Sequence, residues 1–168
     1  MNETHEIDPE QGVHQQKLMP GEQLPYYPQL LSTGSTVLDD ILRGGYERDI
    51  ITTLFGPSGA GKTTLCLLAA VSSIREGKKV LYVDTEGGFS PIRLQQLVGD
   101  ASELLEKIFI LKPTTFLEQI KAVEKLKLLL TDQIGIVIID TISMLYRIEL
   151  GQHNAEVKNV NAELGFQL

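Results

Sequence analysis

A chain of 168 residues, 42% of them hydrophobic, has room for one globular core. Its formal net charge of −7 argues against a broad basic footprint for nucleic acid, while leaving room for a local basic patch. One cysteine, Cys66, excludes an internal disulfide and fits a reducing cytosol. No apolar run is long enough to cross a bilayer and no signal-peptide pattern appears, so the chain reads as cytoplasmic.

Residues Met1 to Gln29 are polar and acidic and are interrupted by Pro9, Pro20, Pro25 and Pro28, the composition of a flexible tail. His5 and His14 have no cysteine near them and read as solvated side chains. Tyr26 and Tyr27 read as part of a loosely packed linker. The folded core is expected over residues 30–168, from Leu30-Leu31-Ser32-Thr33-Gly34 onward. Ser35 is placed to cap a helix from Thr36 to Leu42 that Gly44 and Gly45 end. Ile50-Ile51-Thr52-Thr53-Leu54-Phe55 reads as a buried strand. A helix carrying Leu65, Leu67, Leu68, Ala69, Ala70 and Val71 then runs to about Glu76, with Gly77 as its cap and Cys66 as a small core residue.

Val80-Leu81-Tyr82-Val83-Asp84 is a second buried strand, and Thr85-Glu86-Gly87-Gly88 is a turn at its carboxyl end. Ser90 caps a helix through Leu97, with Pro91 at its first position. Ile108 to Leu111 is a third strand. Phe116, Ile120, Val123, Leu126 and Leu130 recur at helical spacing, which predicts an amphipathic helix from Thr115 to Thr131. Gly135 to Asp140 is a fourth strand, and Ala155 to Leu168 a last helix. Near-continuous apolar strands alternating with helices predict an α/β fold, a mostly parallel sheet with helices on both faces.

Between the first strand and its helix, Gly56-Pro57-Ser58-Gly59-Ala60-Gly61-Lys62-Thr63 reads G-x-x-x-x-G-K-T, followed by Thr64. That spacing is a phosphate-binding loop. Glycines let the backbone wrap close to a phosphate, the loop N–H groups serve as donors, and the helix start adds partial positive charge. Lys62 is expected between the β- and γ-phosphates of ATP, and the Thr63 hydroxyl on Mg²⁺. Ligands of open α/β sheets sit at the carboxyl ends of the strands. Asp140, which ends four apolar residues, reads as a Walker B aspartate for Mg²⁺. Glu86, two residues past the second strand, reads as the carboxylate that orients and deprotonates an attacking water. Asp84 competes for that role and otherwise supports the metal shell or the turn.

With those residues in view the sequence resembles the RecA-type recombinases. Leu31-Ser32-Thr33-Gly34-Ser35, Gly44-Gly45, Gly56 to Thr63, Val83-Asp84-Thr85-Glu86-Gly87-Gly88-Phe89-Ser90-Pro91 and Ile138-Ile139-Asp140-Thr141 occur in that family's order. The Asp84–Pro91 run, Leu145-Tyr146-Arg147-Ile148-Glu149 and Asn161-Ala162-Glu163-Leu164-Gly165 most resemble the archaeal RadB family. The resemblance covers residues 31–168 and implies a RecA-like P-loop NTPase fold. It also implies ATP and Mg²⁺ as cofactors, weak ATPase activity, and assistance to recombination and DNA repair without strand exchange. By family pattern Glu86 matches the catalytic glutamate and Arg93 an arginine packed near the adenine. Implied partners are DNA, bound weakly by this chain, the RadA recombinase and a Holliday-junction resolvase.

The chain departs from the family in its short Arg43-Gly44-Gly45 run, in Phe166 after Gly165, and in lacking a Phe-x-x-Ala polymerisation motif. The family continues beyond the position of Leu168 with a DNA-facing loop, a further strand and a basic C-terminus. The expectation is therefore that residues 1–168 are part of a longer protein. The strand between the phosphate-loop strand and the Walker B strand is expected to be missing from them. Two other functions fit the motifs: an ATP-dependent switch that docks a partner without turnover, and a clock-type ATPase or kinase. The latter group carries paired glutamates, whereas Gly87 follows Glu86 here.

Overall fold

The computed structural model describes residues 29–152 together with residues 161, 162, 164, 165 and 167. Apart from Gln29, the expected tail lies outside the described residues. In chain order the elements are β1 (Leu30–Leu31), α1 (Thr36–Ile41), β2 (Tyr46–Glu47), α2 (Lys62–Arg75), β3 (Lys79–Asp84) and α3 (Pro91–Val98). There follow α4 (Ser102–Leu105), β4 (Ile108–Leu111), α5 (Phe116–Leu129), β5 (Ile134–Asp140) and α6 (Met144–Gln152). Among the described residues no helix is long and apolar enough to cross a membrane.

β1 and β2 form a short antiparallel ladder, with Leu31 opposite Tyr46. Gly45 makes the approach possible: its φ is +136°, and a Cβ there would lie 2.2 Å from the Leu31 carbonyl oxygen. Ser35 occupies the N-cap position of α1, but its side chain caps nothing. Asp39 reaches back instead, accepting from the Thr33 N–H, the Thr33 hydroxyl and the Ser32 hydroxyl at 2.7, 2.6 and 2.6 Å. Its carboxylate, at the end of a longer arm, satisfies a donor two residues before the cap.

β3 lies at the centre of a three-stranded parallel sheet ordered β4-β3-β5. Successive side chains alternate between its faces. Val80, Tyr82, Ile108, Ile110, Ile136 and Ile138 pack against α2, α3 and α4 on one side. Leu81, Val83, Leu111, Val137 and Ile139 pack against Ala122, Leu126 and Leu129 of α5 on the other. The covered parallel sheet expected from the apolar runs is therefore present.

The strand expected over Ile50–Phe55 is absent. The segment is irregular and faces solvent, with Ile51 73% and Phe55 93% exposed. Apolar composition favours burial, but a strand also needs a ladder partner about 4.8 Å away. Among the described residues no strand lies along the second edge of β5. That open edge also explains why Ile134 to Val137, apolar apart from Gly135, are only half-buried.

α5 starts as expected, with the Thr115 hydroxyl accepting from the Glu118 N–H at 3.2 Å and Glu118 accepting from the Thr114 N–H at 2.8 Å, a capping pair. Its inner face differs from the expected stripe: Leu129 packs on the sheet while Leu130 ends the helix half exposed, and Gln119 is fully buried. Helix α6 was not expected. It packs Leu145 and Tyr146 against Phe116 of α5, the two rings meeting edge to face at 6.0 Å. Of the expected last helix, residues 161, 162, 164 and 165 are helical and much of the rest lies outside the described residues.

Candidate functional site

The loop from Gly56 to Gly61 leads directly into α2. Gly59 and Gly61 have φ of +78° and +90°, the left-handed backbone that side chains resist. Among the described residues no side chain caps α2, and no acidic residue sits in its first turn. The helix start thus keeps its positive end for an anion. The Lys62 ammonium donates to the carbonyl oxygens of Gly56 and Pro57, both at 3.0 Å, so it folds back over the loop. Thr64 continues the first turn.

β3 and β5 run parallel and in register, so Asp84 stands opposite Asp140 at their carboxyl ends. The Thr63 hydroxyl donates to Asp140 Oδ2 at 2.7 Å, joining the loop helix to the end of β5 across 77 residues of sequence. The Tyr82 phenol donates to the same oxygen at 3.0 Å. Asp84 is buried, and both of its oxygens accept from the turn that follows: Gly88 N–H at 2.9 Å and Phe89 N–H at 3.2 Å. The turn is also tied to β5. Thr85 Oγ1 accepts from the Thr141 N–H at 2.9 Å and donates to the Thr141 carbonyl at 2.7 Å. The Asp140–Thr141 peptide bond is cis. The Thr141 hydroxyl donates to Glu86 Oε1 at 2.9 Å. Glu86 is otherwise exposed.

Burial raises the Tyr82 phenol far above its ordinary pKa, and the Asp140 charge adds to the effect, so the phenol stays a protonated donor. Burial, with the same Asp140 charge, pushes the Cys66 thiol up to about 12, and the half-buried side chain packs against the core rather than within it.

The oxygens of Thr63 and Asp140 are a hard donor pair suited to Mg²⁺. Among the described residues no cluster of three His, Cys, Asp or Glu side chains forms an all-protein metal cage. Mg²⁺ needs none, because it keeps waters and takes one or two protein oxygens beside phosphate oxygens. Space is held open beside the pair: a Cβ on Gly88 would lie 3.6 Å from Thr63 Oγ1 and 4.0 Å from Asp140 Oδ2.

The structure thus brings Lys62, Thr63, Asp140, Glu86 and Asp84 to one end of the sheet. Arg93 stands apart in its contacts: it lies in the first turn of α3, and its guanidinium donates to Gln96 at 3.2 Å. Sequence reasoning passed over Tyr82, Thr85 and Thr141. The available signal was a threonine directly after each of Asp84 and Asp140, and a single phenol within the apolar run that Asp84 ends.

The Rad51 family model matches residues 29–164. The DNA repair and recombination protein RadB of Methanococcus maripaludis is 44% identical over 133 residues, covering 79% of this chain and 61% of that protein. RadB of Thermococcus gammatolerans is 39% identical over 143 residues, 83% of this chain and 61% of the relative. RadB of Methanococcoides burtonii is 35% identical over 142 residues, 82% and 62%. A solved structure of a RadB recombinase superposes with a TM-score of 0.64 at 36% identity, over 82% of this chain and 64% of that one. The chain therefore spans about three-fifths of the length of the curated relatives it matches. Its parallel sheet, its loop-to-helix start and the family match place it together: the fold is RecA-like, the relatives it is similar to are RadB proteins, and the chain belongs to the Rad51 family.

Proposed function

We propose that this chain is the ATP-binding part of a cytoplasmic accessory protein of homologous recombination and DNA repair, similar to RadB. It binds ATP with Mg²⁺, hydrolyses it slowly, and contacts DNA without exchanging strands itself. The observation that carries this reading is the 2.7 Å contact between the Thr63 hydroxyl and Asp140 Oδ2 at the mouth of the glycine loop. Residues 56 to 64 would wrap the phosphates with backbone N–H groups, and Lys62 would turn from its loop carbonyls to the β- and γ-phosphates. Thr63 and Asp140 would hold Mg²⁺, which supplies charge neutralisation on the phosphate oxygens. Glu86 would orient the attacking water and accept its proton, with Thr141 fixing the carboxylate. Arg93 would lie toward the adenine. The RadA recombinase and a Holliday-junction resolvase are the protein partners this reading implies.

The switch reading draws on the Thr141 hydrogen bond, which engages one oxygen of the exposed Glu86 carboxylate. Phosphate release measured with and without Mg²⁺ and single-stranded DNA separates the two. Slow, Mg²⁺-dependent release supports hydrolysis. Nucleotide binding without release supports the switch, and absence of nucleotide binding refutes both. DNA binding by this acidic chain should be weak and should fall steeply with salt. Nanomolar binding retained at high salt would contradict it.

A further inference from the structure

We propose that Tyr82 is a positioning residue for Asp140, its hydroxyl holding the carboxylate in the orientation that a divalent cation between Thr63 and Asp140 requires. This rests on the reading of the site as a Mg²⁺–nucleotide site. Tyr82 is fully buried in the apolar layer between the sheet and α2, where a phenylalanine would fill the same space. A hydroxyl in such a layer is costly unless bonded, and the bond it makes is to Asp140 Oδ2 at 3.0 Å. The ring has little freedom, because Phe89 packs against it edge to face at 5.2 Å. Phe89 is in turn fixed through its N–H by Asp84.

The bonds also select an oxygen. The Thr63 and Tyr82 donors both land on Oδ2 of Asp140. Among the described residues no hydrogen bond lands on Oδ1, which stays available to a cation or to its water. Thr63 is itself a candidate ligand, so Tyr82 is the donor that keeps the carboxylate placed when the Thr63 oxygen turns to metal. Groups that orient a metal ligand in this way are commonly worth about 10–100-fold in metal affinity.

The test compares the chain with Tyr82→Phe, titrating a fluorescent ATP analogue in EDTA and across Mg²⁺ concentrations. The expected result is a Mg²⁺ midpoint raised about 10-fold or more, with metal-free nucleotide affinity unchanged. In an Asp140→Asn background the same substitution should add nothing, because the carboxylate it serves is gone. An unchanged midpoint, or an equal shift in both backgrounds, overturns the positioning role. If the parent chain itself shows no Mg²⁺-dependent binding, the nucleotide reading and this inference fall together; an unchanged midpoint beside a Mg²⁺-responsive parent sinks only the inference. Should Tyr82→Phe not fold, the parent labelled at tyrosine Cζ decides by NMR. The Tyr82 signal is expected to shift when Mg²⁺ is added to nucleotide-loaded protein, and a stationary signal overturns the proposal.

Discussion

The two carboxylates at the end of β3 should separate cleanly on mutation, because one builds the turn and the other faces solvent. Asp84 is 2% exposed and receives the N–H groups of Gly88 and Phe89, one on each oxygen. Asparagine keeps the shape but can accept on one side only, so its amide group opposes a buried donor. Hydrogen bonds to a charged acceptor contribute about 1.5–3 kcal/mol, and a buried donor left unpaired costs about 1–3 kcal/mol. Asp84→Asn should therefore destabilise the chain by about 2–3 kcal/mol, a fall in Tm of about 4–12 °C for a domain of this size. Glu86 is exposed, and its bond from the Thr141 hydroxyl survives in Glu86→Gln through the amide oxygen. That variant should melt with the parent, bind nucleotide as the parent does, and lose phosphate release, since an amide cannot accept the water's proton. Circular dichroism melts and single-turnover phosphate release read the two effects separately. If Asp84→Asn melts with the parent, or if Glu86→Gln hydrolyses at the parent's rate, the division of labour argued from these distances is wrong.

Lys62→Ala should abolish tight Mg·ATP binding in calorimetry, because the ammonium that now rests on the Gly56 and Pro57 carbonyls is the cation we propose to face the phosphates. Gly88→Ala should fold normally, its methyl at ordinary contact distances, yet weaken Mg²⁺-dependent nucleotide binding by filling the space beside Thr63 and Asp140. Gly135→Ala should lower stability by about 1–3 kcal/mol in urea denaturation, since the added Cβ would meet Ser73 Oγ at 2.3 Å and Lys78 Cβ at 2.6 Å. The hydroxyl of Ser32, then the hydroxyl and N–H of Thr33, hold the Asp39 carboxyl below its ordinary 3.8. A depressed folded pKa stabilises above the unfolded value and is lost as pH falls through the folded one. The Tm gap between the parent and Asp39→Asn should therefore be widest near neutrality and close below pH 3.8.

What could be read in advance was local, and what could not be read depended on register between distant strands. The glycine spacing of residues 56 to 63 carries its own backbone logic, and an apolar run ending in Asp140 announces a strand whose last residue reaches the ligand end. Ser35 marked the right place for a helix start without capping it, and Asp39, one turn into the helix, bonds Ser32 and Thr33 upstream of the cap, a contact that no capping rule names. Ile50–Phe55 shows the limit of composition: its apolar residues specify burial without naming the neighbour that a ladder demands. The contacts Tyr82–Asp140 and Thr85–Thr141 follow only once Tyr82 is known to stand opposite Ile138 and Asp84 opposite Asp140. A shift of one residue in that pairing would turn Tyr82 out of step with Asp140 and separate the two threonines. The register that joins β3 to β5 is therefore the step by which scattered polar residues become one site, and it is set by the apolar side chains packed beneath α2 and over α5.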